Sequence, residues 1–143
     1  MARAGQEISL GKQEYIETIH ELCNGAMGRG VGTKAIADKL GVKMPSVTQA
    51  LRRLSDAGLI NYSPRTAVTL TDSGATLALE LHRRHEILEE FFNSIGCPSE
   101  KAAKIACLVE HDIDMDVALK IKMISSHLHV CDSAQALLHD SKR

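Results

Sequence analysis

The chain has 143 residues, a length that suits one domain or two small domains sharing a core. Hydrophobic residues make up 44% of it, an ordinary share for a globular protein, so the composition excludes a disordered chain. The formal net charge of -1 excludes a globally basic nucleic-acid binder, although a locally basic surface is still compatible with it.

The core must be built from Leu, Ile, Val, Ala and Met, because only 3% of the residues are aromatic and Trp is absent. This composition favours helices. The N-terminal segment MARAGQEISL has no apolar stretch typical of a signal peptide, and no run reaches the length of a membrane span. With four cysteines and no CxxC pair, we expect a cytoplasmic protein with reduced thiols and no zinc ribbon.

The first elements in chain order are two helices separated by a loop. Apolar spacing predicts a helix over residues 12–22, and the glycine-rich segment 24–32 is typical of a loop. Thr33 is expected to cap a second helix, TKAIADKL, which ends at Gly41 because glycine tolerates the left-handed conformation found there.

A third helix and a hairpin follow. Pro45 suits the first turn of this helix, since its missing N–H costs nothing there, and Val47, Leu51 and Leu54 form its buried stripe. Residues 59–70 contain two short β-forming segments around a Ser-Pro-Arg turn. Helix, turn, helix and hairpin in this order predict a winged helix-turn-helix.

The second half is predicted to be entirely helical. Thr71 caps a long helix that ends near Gly96, a further helix covers about 99–111, and one or two helices run from about Met115 to near His139. The fold class is therefore mainly α. We expect a winged helix-turn-helix DNA-binding domain over residues 1–75 and an all-helical metal-binding and dimerisation domain over residues 76–143.

The predicted DNA-reading surface is the exposed face of the third helix together with the hairpin tip. Gln can pair with adenine, hydroxyl groups can contact bases or phosphates, and basic side chains can bind phosphates. An amphipathic surface helix alone would also be polar on this face, but the arginine at the hairpin tip favours DNA binding. The candidate residues are Lys43, Pro45, Ser46, Thr48, Gln49, Arg52, Arg53 and Arg65.

Three clusters have the spacing of metal ligands on helices. They are Glu14 with Glu17, His85 with Glu89, and the set Cys107, Glu110 and His111. Each cluster has a simpler alternative. The glutamates could be solvated, His85 could be a surface residue, and Cys107 could be a packed core thiol.

The ordered segments EYIETIHEL, IADKLGVKMPSVTQALRRLSDAGLI, LTDSG, RRHEILEEFF and ACLVEH resemble the iron- and manganese-dependent repressors. This family includes the diphtheria toxin repressor and the manganese transport regulator. The resemblance runs from about residue 13 to at least residue 125, and the length is similar to that of the manganese-type members, which lack an SH3-like third domain. It implies a homodimer whose DNA-binding half is positioned by a divalent metal. We expect no enzymatic activity, since the sequence has no HExxH pattern and no evident nucleophile-base pair.

The resemblance also implies a role for each candidate ligand. Glu14 matches a metal-binding Asp or Met of the family, and Glu17 matches a Glu of the manganese type. His85 matches a His of both branches, and Glu89 matches a Glu at the ancillary site of the diphtheria type. The remaining set, Cys107, Glu110 and His111, matches the primary site of the diphtheria type.

Two positions depart from the family pattern. Ala103 replaces a histidine ligand of the diphtheria type, and Cys107 replaces a bridging glutamate of the manganese type. Because a thiolate favours Fe(II), Co(II), Ni(II) or Zn(II) over Mn(II), we expect Fe(II), with Mn(II) as the alternative.

The expected partner is a palindromic DNA operator, bound by a dimer formed through the C-terminal helices, with no membrane association. Without the cation, the carboxylates of the two halves would repel one another. With the cation bound, they would hold the DNA-binding half in place. Three other interpretations stay open. They are a regulator that senses an organic ligand or an oxidant through Cys107, a small metalloenzyme with Glu110 as base, and an interaction module without DNA contact.

Overall fold

The computed structural model describes residues 10–24 and 28–131, together with positions 133, 136 and 138. The described residues form six helices and one two-stranded sheet, which confirms the mainly helical fold. The chain divides into two compact units, residues 1–79 and 80–143. The predicted end of the last helix near His139 lies outside the described residues.

The first unit is a winged helix-turn-helix, as predicted. A helix precedes the helix-turn-helix pair, and a short antiparallel hairpin follows it. In chain order the elements are α1 (Leu10–Leu22), α2 (Thr33–Leu40), α3 (Met44–Asp56), β1 (Ile60–Asn61) and β2 (Thr69–Leu70).

Helix α3 packs through the predicted stripe. Val47, Leu51 and Leu54 are completely buried, and Pro45 lies in the first turn, where its missing N–H leaves no broken hydrogen bond. The opposite face is polar, so burial of one face holds the helix on the unit and leaves the other face to solvent. The same core contains Ile16, Ile19, Ile36 and Val68.

Helix α2 begins differently from the prediction. Thr33 is its first residue and Gly32 is the N-cap, with no side-chain capping hydrogen bond. The preceding Val31 forms an antiparallel bridge with Val68, with two backbone hydrogen bonds of 2.8 Å, so the chain stays extended up to Gly32. The predicted Thr33 cap is therefore wrong, whereas Gly41 ends the helix in the left-handed region (φ 65°) as expected.

The hairpin is short and its register places Ile60 opposite Leu70. Asn61 supports it by donating a side-chain hydrogen bond of 3.2 Å to the Thr69 hydroxyl. At the tip, the Thr66 hydroxyl donates a hydrogen bond of 2.8 Å to the Ser63 carbonyl. These contacts stabilise the wing, defined here as residues 60–70, which belongs to the same unit as α3.

The segment after the wing leads into the long helix α4 (Asp72–Ser94). Thr71 caps this helix as predicted, because its hydroxyl oxygen accepts a hydrogen bond of 3.1 Å from the Gly74 N–H. The same hydroxyl donates to the Gly58 carbonyl at 2.7 Å. A Cβ at Gly74 would lie 1.9 Å from the Leu59 carbonyl oxygen, so only glycine permits this close approach.

The second unit contains the rest of α4, α5 (Ser99–Val109) and α6 (Met115–Val130). Helix α5 ends two residues before the predicted boundary at residue 111, with Glu110 as its C-cap. The turn that follows ends at Asp114, whose carboxylate accepts a hydrogen bond of 2.9 Å from the Val117 N–H and so begins α6. The buried apolar residues of this unit are Leu81, Ile87, Leu88, Ala102, Ala106 and Ala118.

Two further features concern the described part of the chain. None of its helices has both the length and the apolar character needed to cross a membrane. Its four cysteines form no disulfide with one another.

Candidate functional site

The residues predicted to contact DNA lie on α3, at its start and at the wing tip. Thr48 is half-buried, and its hydroxyl donates a hydrogen bond of 3.1 Å to the Met44 carbonyl. The other predicted residues are all exposed, namely Lys43, Pro45, Ser46, Gln49, Arg52, Arg53 and Arg65. The polar groups that could read bases or bind phosphates are therefore presented to solvent by one rigid unit.

Five of these residues line a shallow depression on the surface of α3: Pro45, Ser46, Thr48, Gln49 and Arg52. The depression offers an amide, two hydroxyl groups and a guanidinium in a small area. Such a mixture suits contacts with base edges and with the phosphates beside them.

An open recess of about 480 Å³ lies between α3 and the wing. Arg52 from α3 and Arg65 from the wing both line it, so the structure brings together two residues that are far apart in the sequence. Two guanidinium groups across one recess can bind an anionic phosphate oxygen from two sides. Met44 and Tyr62 also line the recess, and neither residue has a periodicity or a charge from which this position could be predicted.

Arg65 has an unusual backbone conformation for an arginine. Its φ of 68° lies in the left-handed region, which costs a non-glycine residue about 1–2 kcal/mol. A glycine or asparagine would meet this turn at lower cost. Arg65 therefore occupies the wing tip in a backbone conformation that favours glycine or asparagine.

The candidate metal cluster of the second unit is centred on Glu110. Its side chain is only 3% exposed, and each of its carboxylate oxygens faces an imidazole. Oε2 lies 2.7 Å from His85 Nδ1, and Oε1 lies 3.5 Å from His111 Nε2. A buried carboxylate is costly without such partners, so this arrangement indicates a specific role for the Glu110 charge.

His85 connects Glu110 to a second carboxylate. Its Nε2 lies 3.4 Å from Glu89 Oε2, while its Nδ1 faces Glu110. The spacing of four residues on α4 places Glu89 one turn after His85. A metal-bound imidazole commonly has a carboxylate at its other ring nitrogen, and Glu89 is positioned for that role.

The donor set fits a divalent transition metal. His85, Glu110 and His111 supply two imidazoles and one carboxylate, with Glu89 beside them. Imidazole and carboxylate ligands suit Mn(II), Fe(II), Co(II) and Zn(II). The structure therefore brings together four of the sequence-predicted metal residues within the second unit.

Cys107 is exposed on α5. Glu110, three residues later, is by contrast buried. The exposure of Cys107 contradicts its interpretation as a packed core thiol. An accessible thiol can act as a metal ligand or as a redox-reactive group.

Glu14 and Glu17 lie on α1 in the first unit. Glu14 is exposed and Glu17 is half-buried. Burial and the neighbouring Glu14 carboxylate raise the pKa of Tyr15, so this phenol keeps its proton at neutral pH. Glu14 thus presents its carboxylate to solvent beside a neutral side chain.

The second unit also exposes several large apolar side chains. Leu108 on α5 is 74% exposed, and Met123 and Ile124 on α6 are 73% and 56% exposed. Val117 and Leu119 add further exposed apolar area to α6. Exposed large apolar side chains in this number are compatible with a surface that another protein covers.

These features define a winged helix-turn-helix protein with an all-helical second unit that carries a buried His–Glu cluster. The family described as "Iron dependent repressor, N-terminal DNA binding domain" matches residues 7–68. The family described as "Iron dependent repressor, metal binding and dimerisation domain" matches residues 71–136.

Individual proteins that are similar in sequence to this chain are consistent with these family matches. The transcriptional regulator MntR of Escherichia coli is 37% identical over 103 residues, which is 70% of this chain and 63% of that protein. The HTH-type transcriptional regulator MntR of Lysinibacillus sphaericus is 32% identical over 102 residues, covering 71% of each chain.

A solved structure of a manganese-dependent transcriptional repressor in complex with manganese has 30% sequence identity and a TM-score of 0.68. The match covers 80% of this chain and 52% of that one. The matched regions thus span between 52% and 71% of the length of these relatives, and less than two thirds of the Escherichia coli protein and of the solved structure. This chain belongs to the iron-dependent repressor family.

Proposed function

We propose that this protein is a metal-dependent transcriptional regulator, and more specifically a repressor of metal-ion homeostasis genes. The observation that carries the proposal is Glu110, a buried carboxylate between two imidazoles, in a segment that matches the metal-binding domain of the family. The role is regulatory rather than enzymatic. The cytoplasmic location of the protein stays a prediction, which agrees with the need of such a regulator to reach the DNA.

The DNA-binding half of the proposal rests on the exposed face of α3 and on the wing. Gln49 and Ser46 are the candidates for contact with base edges, since both are exposed near the start of α3. Arg52, Arg53 and Arg65 are the candidates for phosphate contacts. Lys43, Pro45 and Thr48 complete the proposed double-stranded DNA interface.

Coupling between the two halves is proposed to depend on α1. Glu14 and Glu17 are proposed to join the ligands His85, Glu110 and His111, as the family resemblance implies. A bound divalent cation would supply the positive charge that offsets the repulsion among these carboxylates. Helix α1 would then be held in one arrangement, which favours one placement of the DNA-binding half.

A homodimer is proposed because the second unit exposes several large apolar side chains. Leu108, Met123 and Ile124 would be covered by the same residues of a second copy, as in a two-fold interface. A two-fold dimer would place its two α3 helices on half-sites about 34–36 Å apart, which predicts a palindromic operator.

The identity of the metal depends on Cys107. If the Cys107 thiolate is a ligand, Fe(II) is favoured over Mn(II), as expected from the sequence. The names of the MntR relatives and the imidazole–carboxylate set around Glu110 support Mn(II) instead. Competition between the two metals in wild-type protein and in Cys107→Ser distinguishes them, because the substitution shifts the preference toward Mn(II) only if the thiolate binds.

The test of the proposed function is DNA binding with and without metal. A duplex enriched from a random-sequence pool by the metal-loaded protein serves as the probe for fluorescence anisotropy. We expect tight binding with Fe(II) under anaerobic conditions or with Mn(II), and affinity at least about tenfold lower with chelator, a coupling of about 1.4 kcal/mol. Equal affinity in chelator and in metal contradicts the proposal.

The exposure of Cys107 favours one second candidate, a regulator that senses an oxidant. In that case peroxide would change the DNA affinity of metal-free wild-type protein, and Cys107→Ser would remove the effect. A peroxide effect that requires bound Mn(II), and that Cys107→Ser also removes, would instead assign the thiol to the metal site.

A further inference from the structure

Arg84 crosses from α4 to the turn between α5 and α6. Its Nη1 donates a hydrogen bond of 2.8 Å to the Ile113 carbonyl oxygen, in a partly buried position. Its Nε is also buried and has no hydrogen-bond partner within the described ranges. Burying a donor without a partner costs about 1–3 kcal/mol, and ordering a long side chain adds a cost in conformational entropy. The contribution of Arg84 to folding stability therefore does not by itself explain why an arginine occupies this position.

The turn that Arg84 contacts carries two of the proposed metal ligands. Glu110 is tied to α5 by its N–H, which donates to the Ala106 carbonyl at 2.9 Å. His111 comes next, and Ile113 directly precedes Asp114, the N-cap of α6. The hydrogen bond from Arg84 to Ile113 thus holds the end of the turn, while α5 holds its beginning.

The same helix supplies the third ligand. His85 directly follows Arg84 on α4, and its Nδ1 lies 2.7 Å from Glu110 Oε2. One segment of α4 therefore carries both an imidazole and the side chain that fastens the opposite turn. The position of the imidazole relative to Glu110 and His111 is set by this pair of connections.

We propose that Arg84 is a positioning residue that sets the metal affinity of the site by fastening the α5–α6 turn to α4. This inference rests on the proposed function, since it concerns the same site. Metal sites require ligand distances accurate to about 0.2 Å, so a turn that moves by more loses affinity. Removing groups that orient ligands typically costs about 10- to 100-fold in affinity.

The guanidinium has properties that other side chains lack. Its planar group bears several donors in a rigid arrangement, so an arginine loses less conformational freedom per hydrogen bond than a lysine does. A lysine would keep the charge and one donor on a flexible stem, and a methionine would keep only the stem. These differences predict graded effects for Arg84→Lys and Arg84→Met.

The experiment is an anaerobic titration of the full chain with Co(II), followed by the visible absorption bands of the bound ion. We expect Arg84→Met to raise the Kd for Co(II) about 10- to 100-fold and to alter the band positions or intensities. Arg84→Lys should give an intermediate Kd. The matched control is Arg83→Met, which removes an exposed arginine one position earlier and should leave both readouts unchanged.

The outcomes separate this inference from the proposed function. If wild-type protein and His85→Ala bind Co(II) alike, the metal site itself is wrong. If His85→Ala loses binding but Arg84→Met keeps the wild-type Kd and spectrum, only the role of Arg84 is overturned. If Arg84→Met is unfolded by circular dichroism, Arg84→Lys decides, and a wild-type Kd and spectrum for that variant overturn the inference.

Discussion

At the scale of single residues, Glu110 is the group on which the account depends most. Glu110→Gln keeps the size of the side chain and can still contact His85, but it removes the negative charge that a cation requires. We expect the metal-free protein to stay folded and the Kd for Mn(II) to rise by about 100-fold, measured by isothermal titration calorimetry. Glu86→Gln, on an exposed residue of α4, is the control and should bind as wild type.

Arg65 gives a second prediction at this scale. Arg65→Gly relieves the left-handed backbone, so the free energy of unfolding should not fall. DNA affinity should fall for all sequences alike, and the slope of log affinity against log salt should decrease by about one. Lys101→Ala, an exposed residue of α5, should leave the slope unchanged. A slope that is also unchanged in Arg65→Gly would mean that the wing does not touch phosphate.

Individual residues also show what the sequence could predict. The stripe of Val47, Leu51 and Leu54 was found because helical periodicity is a local property. The contact from Arg84 to Ile113 spans 29 positions and depends on packing between helices, so no local pattern indicates it. Thr33 was assigned the wrong role because the bridge between Val31 and Val68 is also a tertiary feature.

At the scale of elements, the segment just before the wing closely approaches α4 at Gly74. Gly74→Ala would place a Cβ 1.9 Å from the Leu59 carbonyl oxygen, and backbone must then move. We expect a loss of about 1–3 kcal/mol in the free energy of unfolding, measured by urea denaturation.

The control for this junction is Gly11→Ala on α1, where an added Cβ meets nothing within 4 Å. Alanine is the better helix former, so stability should stay the same or rise by up to about 1 kcal/mol. Equal effects of the two substitutions would show that the close approach at Gly74 does not constrain the fold.

The type and order of the helices and strands could largely be predicted from the sequence. The residues at which they end could be predicted less well. The order of helices and hairpin followed from periodicity, turn residues and capping. The sequence predicts that α5 extends to residue 111, whereas the helix ends at Val109. That difference matters, because the end of α5 places Glu110 and His111 in a turn that another helix can fasten.

At the scale of the whole molecule, the exposed apolar surface of the second unit predicts self-association. Met123→Asp should convert a dimer into a monomer in sedimentation velocity, because a charge is costly at the centre of an apolar interface. DNA affinity should fall strongly, whereas metal bound per chain should not change. Lys122→Glu, at the neighbouring exposed position, should remain dimeric.

The central claim is that metal binding and DNA binding stabilise the same arrangement of the protein. Thermodynamic reciprocity makes this claim measurable from the metal side. The decisive measurement is the Kd for Mn(II) of the full chain with and without a saturating concentration of the selected duplex. We expect DNA to tighten metal binding by the same factor by which metal tightens DNA binding, at least about tenfold. An identical Kd with and without DNA would contradict this claim.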